Sequence, residues 1–328
     1  MLPDRKVKWG ILGTARIALR AVIPAIQQST NGTVIGIASR SSSKALETAK
    51  SLGIRNSYAS YIELLNSPEI DAVYIPLPNN MHREFAVIAA EKGKHVLCEK
   101  PLAINSRECE EMIHACEHHH VWLMEAFMYR FHPQISKLKE IVDSGSIGKI
   151  AAFRAAFRTS QSDPSDIRFQ KDLGGGSLMD VGCYCINVMR QLVDAEPTVI
   201  LGIARFDGKT GVDETFTGIL RFPGLEIGLF DCGFRSTLHQ RLEVMGDKGT
   251  LEVLTPFLAG NSPRIILHGM GGEEELAFDA ANSYKLMVEH FNQSILNDHP
   301  PLFPPIDGLN NMRVIDALFE SAARIRTD

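Results

Sequence analysis

The 328-residue sequence contains no long apolar run. Its longest uncharged stretch, Ala21 to Ser39, is broken by Gln27, Gln28, Ser29, Thr30 and Asn31. A membrane helix needs ~20 mainly apolar residues, so no membrane partner is expected. The opening segment, Met1 to Gly10, is charged and lacks the apolar core of a signal peptide. Six cysteines, at 98, 109, 116, 183, 185 and 232, form no CxxC pair. Free thiols in a reducing, cytoplasmic setting are the simpler reading. A basic excess is missing too: the net charge is −5, whereas chains that bind nucleic acid through its phosphates carry a basic footprint. Internal repeats and low-complexity linkers are absent. The run His118-His119-His120 has no matching Cys/His pair nearby, and consecutive residues do not converge on one ion, so no metal site is expected. What remains is an ordinary globular composition, 45% hydrophobic and 22% charged, of a length that suggests two domains.

The first third alternates short apolar runs with amphipathic segments. Strands are expected at Val7–Leu12, Val34–Ser39, Ala72–Ile75, His95–Cys98 and Val121–Glu125. Helices are expected at 16–28, 44–52, 81–92 and from the capping box Asn105-Ser-Arg-Glu108 to about His118. This is the pattern of a doubly wound α/β parallel sheet. After about residue 125 the period becomes two, with strands expected at 150–159, 198–206, 215–222, 226–234, 241–245 and 250–254. Helices at 133–143, 177–192, 284–296 and 307–324 complete an α+β region with a large, mostly antiparallel sheet. The expected division is 1–122, the α/β domain, and 123–328, the α+β domain.

Gly13, Ala15 and Ala18, between the first strand and first helix, form a degenerate glycine fingerprint. A tight turn at 13 and small residues at 15 and 18 let the backbone approach a pyrophosphate at the helix start. Thr14, Arg16 and Ile17 complete the loop. After the second strand there is no acid until Glu47; instead Ser39, Arg40 and Lys44 offer a cradle for a 2′-phosphate. The expected cofactor is therefore NADP, with NAD as the second option. Cys98-Glu99-Lys100-Pro101 ends the fourth strand, on the sheet edge where ligands bind in such folds.

The ordered set comprising the loop at 10–18, Leu77-Pro-Asn-Asn-Met-His82, Glu99-Lys-Pro101, Glu125–Pro133 and Gly174–Tyr184 resembles the glucose–fructose oxidoreductase/inositol dehydrogenase/MocA (Gfo/Idh/MocA) family over nearly the whole chain. Tyr184 is similar to the branch of glucose–fructose oxidoreductase, dimeric dihydrodiol dehydrogenase and NADP-dependent xylose dehydrogenases. The resemblance implies an NAD(P)-dependent oxidoreductase acting on a sugar, polyol or cyclic diol. It further implies that the chain is a homodimer or homotetramer joined through the second-domain sheet. Lys100 and Tyr184 would handle the substrate proton, which of the two transfers it being open; Asp180 would orient the hydroxyl or balance Lys100. Leu77, Pro78, Asn79, His82 and Glu99 would border the cofactor, and Arg168 would reach cofactor or substrate. Two alternatives accompany this reading: an oxidoreductase that recycles a tightly held NADP between two sugars, and a catalytically silent nucleotide sensor.

Overall fold

A computed structural model describes residues 5–325. The start of the charged opening segment (1–4) and the end of the expected second domain (326–328) lie outside the described residues. The chain forms two compact units. One runs to Met128 and takes in Asn282–Leu309; the other comprises Tyr129–Ala281 and the chain from Asn310 onward.

The first unit contains β1 (Val7–Leu12), α1 (Ile23–Gln28), β2 (Gly32–Ala38), α2 (Ser42–Leu52), β3 (Asn56–Tyr58), α3 (Tyr61–Leu65), β4 (Ala72–Ile75), α4 (His82–Glu91), β5 (His95–Cys98), α5 (Ser106–His118) and β6 (Leu123–Glu125). A π-helical turn, Ala18–Val22, leads into α1 without a break. Its six strands are parallel, in the order β3-β2-β1-β4-β5-β6. The order reverses at β1, so a crevice opens at the carboxyl ends of β1 and β4. β4 is buried on both faces, as are all but one residue of β1 and of β5, which explains their continuous apolar runs.

The second unit begins with α6 (Pro133–Asp143) and β7 (Ile150–Ser160). A π-helical turn (Leu178–Gly182) continues as α7 (Cys183–Val193). Seven strands follow: β8 (Val199–Phe206), β9 (Asp213–Arg221), β10 (Ile227–Gly233), β11 (Arg235–Gly246), β12 (Gly249–Val253), β13 (Arg264–Gly269) and β14 (Gly272–Ala277). The order β14-β13-β12-β11-β7-β10-β9-β8 is antiparallel except for the parallel pair β7–β10. The paired glycines Gly202 and Gly218 have no side chain where Leu318 lies over the sheet; a Cβ on Gly202 would stand 2.9 Å from the Leu318 carbonyl oxygen. Two helices close the chain, α8 (Ser283–Asn297) and α9 (Pro305–Ile325).

The expected division at 122/123 differs from this partition. β6 and the turn to Met128 stay with the parallel sheet, and α8 returns to it. Trp9 donates to Asn292 Oδ1 at 2.9 Å, and the Thr30 backbone N–H donates to Glu289 Oε1 at 2.9 Å. These are contacts across more than 250 residues, which no local pattern reveals. The Gly- and Glu-rich stretch 269–275 is the tip of the β13–β14 hairpin, and its acids lie in β14.

Candidate active site

The nucleotide loop leaves β1 through Gly13, whose N–H donates to the Ala38 carbonyl at 2.9 Å and whose φ is +116°. That conformation suits glycine. A Cβ there would lie 3.2 Å from Leu77 Cδ2 and 3.9 Å from Tyr61 Oη. Thr14, Ala15 and Ile17 are half-buried and Arg16 is exposed. At the next strand end Ser39 is buried, and its Oγ accepts the Ser41 N–H at 3.3 Å. Ser41 caps α2 by accepting the Lys44 N–H at 3.3 Å. The side chains of Arg40 and Lys44 are left exposed, and the first turn of α2 carries no acid. Burial pushes the Tyr61 phenol up, and the neighbouring Arg40 pulls it the other way.

Leu77 is buried, and Pro78 precedes a short turn at Asn79–Met81. His82 is wholly buried. Its Nε2 lies 2.9 Å from the Leu77 carbonyl and its Nδ1 lies 3.1 Å from the Pro101 carbonyl. His82, expected beside the cofactor, instead presents a ring that faces backbone carbonyls on both sides. Glu99 and Lys100 stand half-buried beyond β5. Glu99 Oε1 accepts from Tyr74 at 2.5 Å, and Oε2 accepts the Lys100 N–H at 3.2 Å.

In the second unit Asp180 lies in the π-helical turn and Tyr184 in the first turn of α7. Asp180 Oδ2 accepts from Arg168 Nε at 2.7 Å, and Arg168 also pairs with Asp166 at 3.1 Å. Asp180 first, then Asp166, hold the guanidinium pKa above its ordinary value against burial. Arg168, expected at cofactor or substrate, is therefore engaged by two carboxylates of its own unit. The Tyr184 ring is buried among Phe157, Phe257 and Tyr129, with centroids at 5.3, 5.5 and 5.7 Å. The glycine run fits closely under this helix start. A Cβ on Gly175 would stand 2.5 Å from the Arg168 carbonyl oxygen, and one on Gly176, at φ +120°, would overlap Asp213 Oδ1. Asp213 Oδ2 accepts from Ser177 Oγ and from the Leu178 N–H, both at 2.7 Å.

Three of these residues escape sequence reasoning. Tyr61 belongs to a five-residue helix whose only signal is Ser60-x-x-Glu63, where Ser60 does accept the Glu63 N–H. Tyr74 reads as core because it sits mid-strand. Asp213 has no motif, and its neighbour Ser177 is 36 residues away.

The first sheet fits a dinucleotide: Gly13 supplies a side-chain-free turn under the helix start, and two exposed cations, Arg40 and Lys44, stand just beyond the end of β2. Comparison with known proteins agrees. The pattern of the oxidoreductase family GFO_IDH_MocA, NAD-binding Rossmann fold, matches residues 7–127, and that of the GFO/IDH/MocA C-terminal domain matches 135–252. The chain is 36% identical over 317 residues to a D-xylose 1-dehydrogenase (NADP(+)) of Haloferax volcanii, covering 96% of this chain and 97% of that one. It is 30% identical over 328 residues to trans-1,2-dihydrobenzene-1,2-diol dehydrogenase of Xenopus laevis, covering 96% of each. A 3-ketoreductase from Actinomadura kijaniata, crystallised with NADP and TDP-benzene, superposes with a TM-score of 0.92 at 28% identity, over 97% of this chain and 98% of that one. With both of its units matched, the chain belongs to the Gfo/Idh/MocA family of oxidoreductases.

Proposed function

We propose that this oxidoreductase prefers NADP(H) and acts on a secondary alcohol or hemiacetal of a sugar, polyol or cyclic diol. The observation that carries the reading is the carboxyl edge of the parallel sheet, where Gly13, Arg40, Leu77 and Lys100 follow four neighbouring strands. The cofactor preference is supported by Arg40 and Lys44, with no acid in the first turn of α2. The substrate class is supported by the sugar and diol enzymes among its relatives.

When bound, the dinucleotide supplies the hydride acceptor or donor. Lys100 and Tyr184 act on the substrate O–H, taking its proton in oxidation and returning it in reduction. An ammonium brought near the phenol favours its ionised form. Asp180, oriented by Arg168, accepts a substrate hydroxyl. NADP⁺ reduction over a panel of aldoses, inositols and cyclic diols, with NAD⁺ in parallel, tests the proposal. We expect turnover of at least one class and kcat/KM at least ~10-fold higher with NADP⁺, the worth of one lost charged contact. Nucleotide binding without turnover on any member would overturn it.

A further inference from the structure

Lys100 stands between two residues whose polar groups are tied to the neighbouring strand and its loop. On one side, Tyr74 donates to Glu99 Oε1 at 2.5 Å while Glu99 Oε2 accepts the Lys100 N–H at 3.2 Å. Tyr74 is fully buried in β4, and burial and then the Glu99 charge push its phenol far up. It therefore remains a donor at every working pH. On the other side, residue 101 is proline and has no N–H of its own. Its carbonyl is the one backbone polar group that Pro101 itself can offer. That carbonyl faces His82 Nδ1 at 3.1 Å, with the Leu77 carbonyl at the opposite nitrogen. Burial draws the His82 pKa down to about 4, so the neutral ring carries a single N–H, and the proposal places it on Nδ1, donating to the Pro101 carbonyl.

We propose that Tyr74 and His82 are positioning residues for Lys100. Tyr74 acts through Glu99 and His82 through Pro101, together fixing the backbone on both sides of the lysine. The proposal rests on the reading of Lys100 as an acid–base group. A displacement of about 1 Å at a reacting group costs on the order of 10²-fold in rate, so loosening either pin should lower turnover without removing binding energy.

The test uses the full chain with Tyr74→Phe, His82→Ala, His82→Gln and Lys100→Met. Readouts are kcat, KM, NADPH affinity by fluorescence titration, and amide hydrogen exchange over 99–103 in the nucleotide-free protein. We expect Tyr74→Phe and His82→Ala to lower kcat by roughly 10-fold, a tenth of the full misplacement effect, with KM and NADPH affinity within about twofold. The Lys100 amide should exchange faster in Tyr74→Phe. His82→Gln, whose amide can donate to a carbonyl, should recover part of the loss. Unchanged kcat and exchange in both pin variants, with Lys100→Met inactive, overturn the proposal alone. NADPH affinity falling in His82→Ala with kcat preserved returns His82 to the cofactor. Full turnover in Lys100→Met removes the underlying reading instead.

Discussion

Arg40 is exposed at the carboxyl end of β2, and the proposal gives it the choice between two nucleotides that differ by one phosphate. Arg40→Ala should weaken NADPH binding by at least ~10-fold and NADH binding by less than about twofold, since a hydrogen bond to a charged group is worth about 1.5–3 kcal/mol. Equal losses in a fluorescence titration would remove Arg40 from phosphate recognition. Lys100→Met should fold normally and lose at least ~10²-fold in turnover, the lower end for acid–base catalysis; steady-state kinetics decide it. Gly13→Ala meets a positive φ and a Leu77 methyl 3.2 Å away. Strain of ~1–3 kcal/mol should lower the unfolding midpoint by several degrees, measurable by calorimetry. At this scale the sequence reveals residue types and strand ends, because glycine, lysine and arginine carry their chemistry in one letter. It does not reveal the partners. Nothing local links Arg168 to Asp180, or Tyr74 to Glu99, 25 positions on.

The helix that bears Asp180 and Tyr184 is held at its start by Asp213, which lies at the beginning of β9. Burial raises the Asp213 carboxyl to about 6, against the hydrogen bonds from Ser177 and Leu178. A folded pKa above the unfolded value of ~3.9 means that the folded state binds this proton more tightly. The resulting stability is complete below pH ~4 and is lost as pH rises through about 6. His82, drawn down to about 4, contributes in the opposite sense as pH falls from ~6.5. Asp213→Asn keeps an oxygen for the cap and removes only the first effect. Thermal melts at pH 4 to 7 should therefore show the wild type losing stability relative to the variant as pH rises; a constant difference would contradict it. Most elements are legible from periodicity, and α6 and β5 match the expected bounds. The missed ones have physical reasons. β3 is a three-residue edge strand, too short for a period. β14 is rich in exposed glutamate, poor strand formers that suit an edge, and its pairing to β13 fixes it.

The whole sheet of the second unit has an outer face with an apolar row. Leu201, Ile219 and Leu229 lie in register on β8, β9 and β10 and are 48%, 39% and 40% exposed. Ile203 and Ile227 extend the patch. Exposed apolar clusters of this kind are common at interaction surfaces. Around it Arg158 pairs with Asp231 and Arg241 with Glu252, a mixture of signs that a second copy can match by two-fold symmetry. We expect a homo-oligomer, and Ile219→Glu should shift it to monomer in sedimentation velocity while NADPH binding persists; an unchanged mass would place the interface elsewhere. The division of the chain is the least legible feature of all, because α8 joins the parallel sheet through Asn292 and Glu289, far from Trp9 and Thr30 in sequence. On the ribosome this matters. The amino-terminal sheet emerges first, yet the helix that covers Trp9 follows it by 283 positions at Asn292. The nascent nucleotide domain therefore stays incomplete until α8 has been made, long after its last strand, and the order of its strands alone does not set its folding.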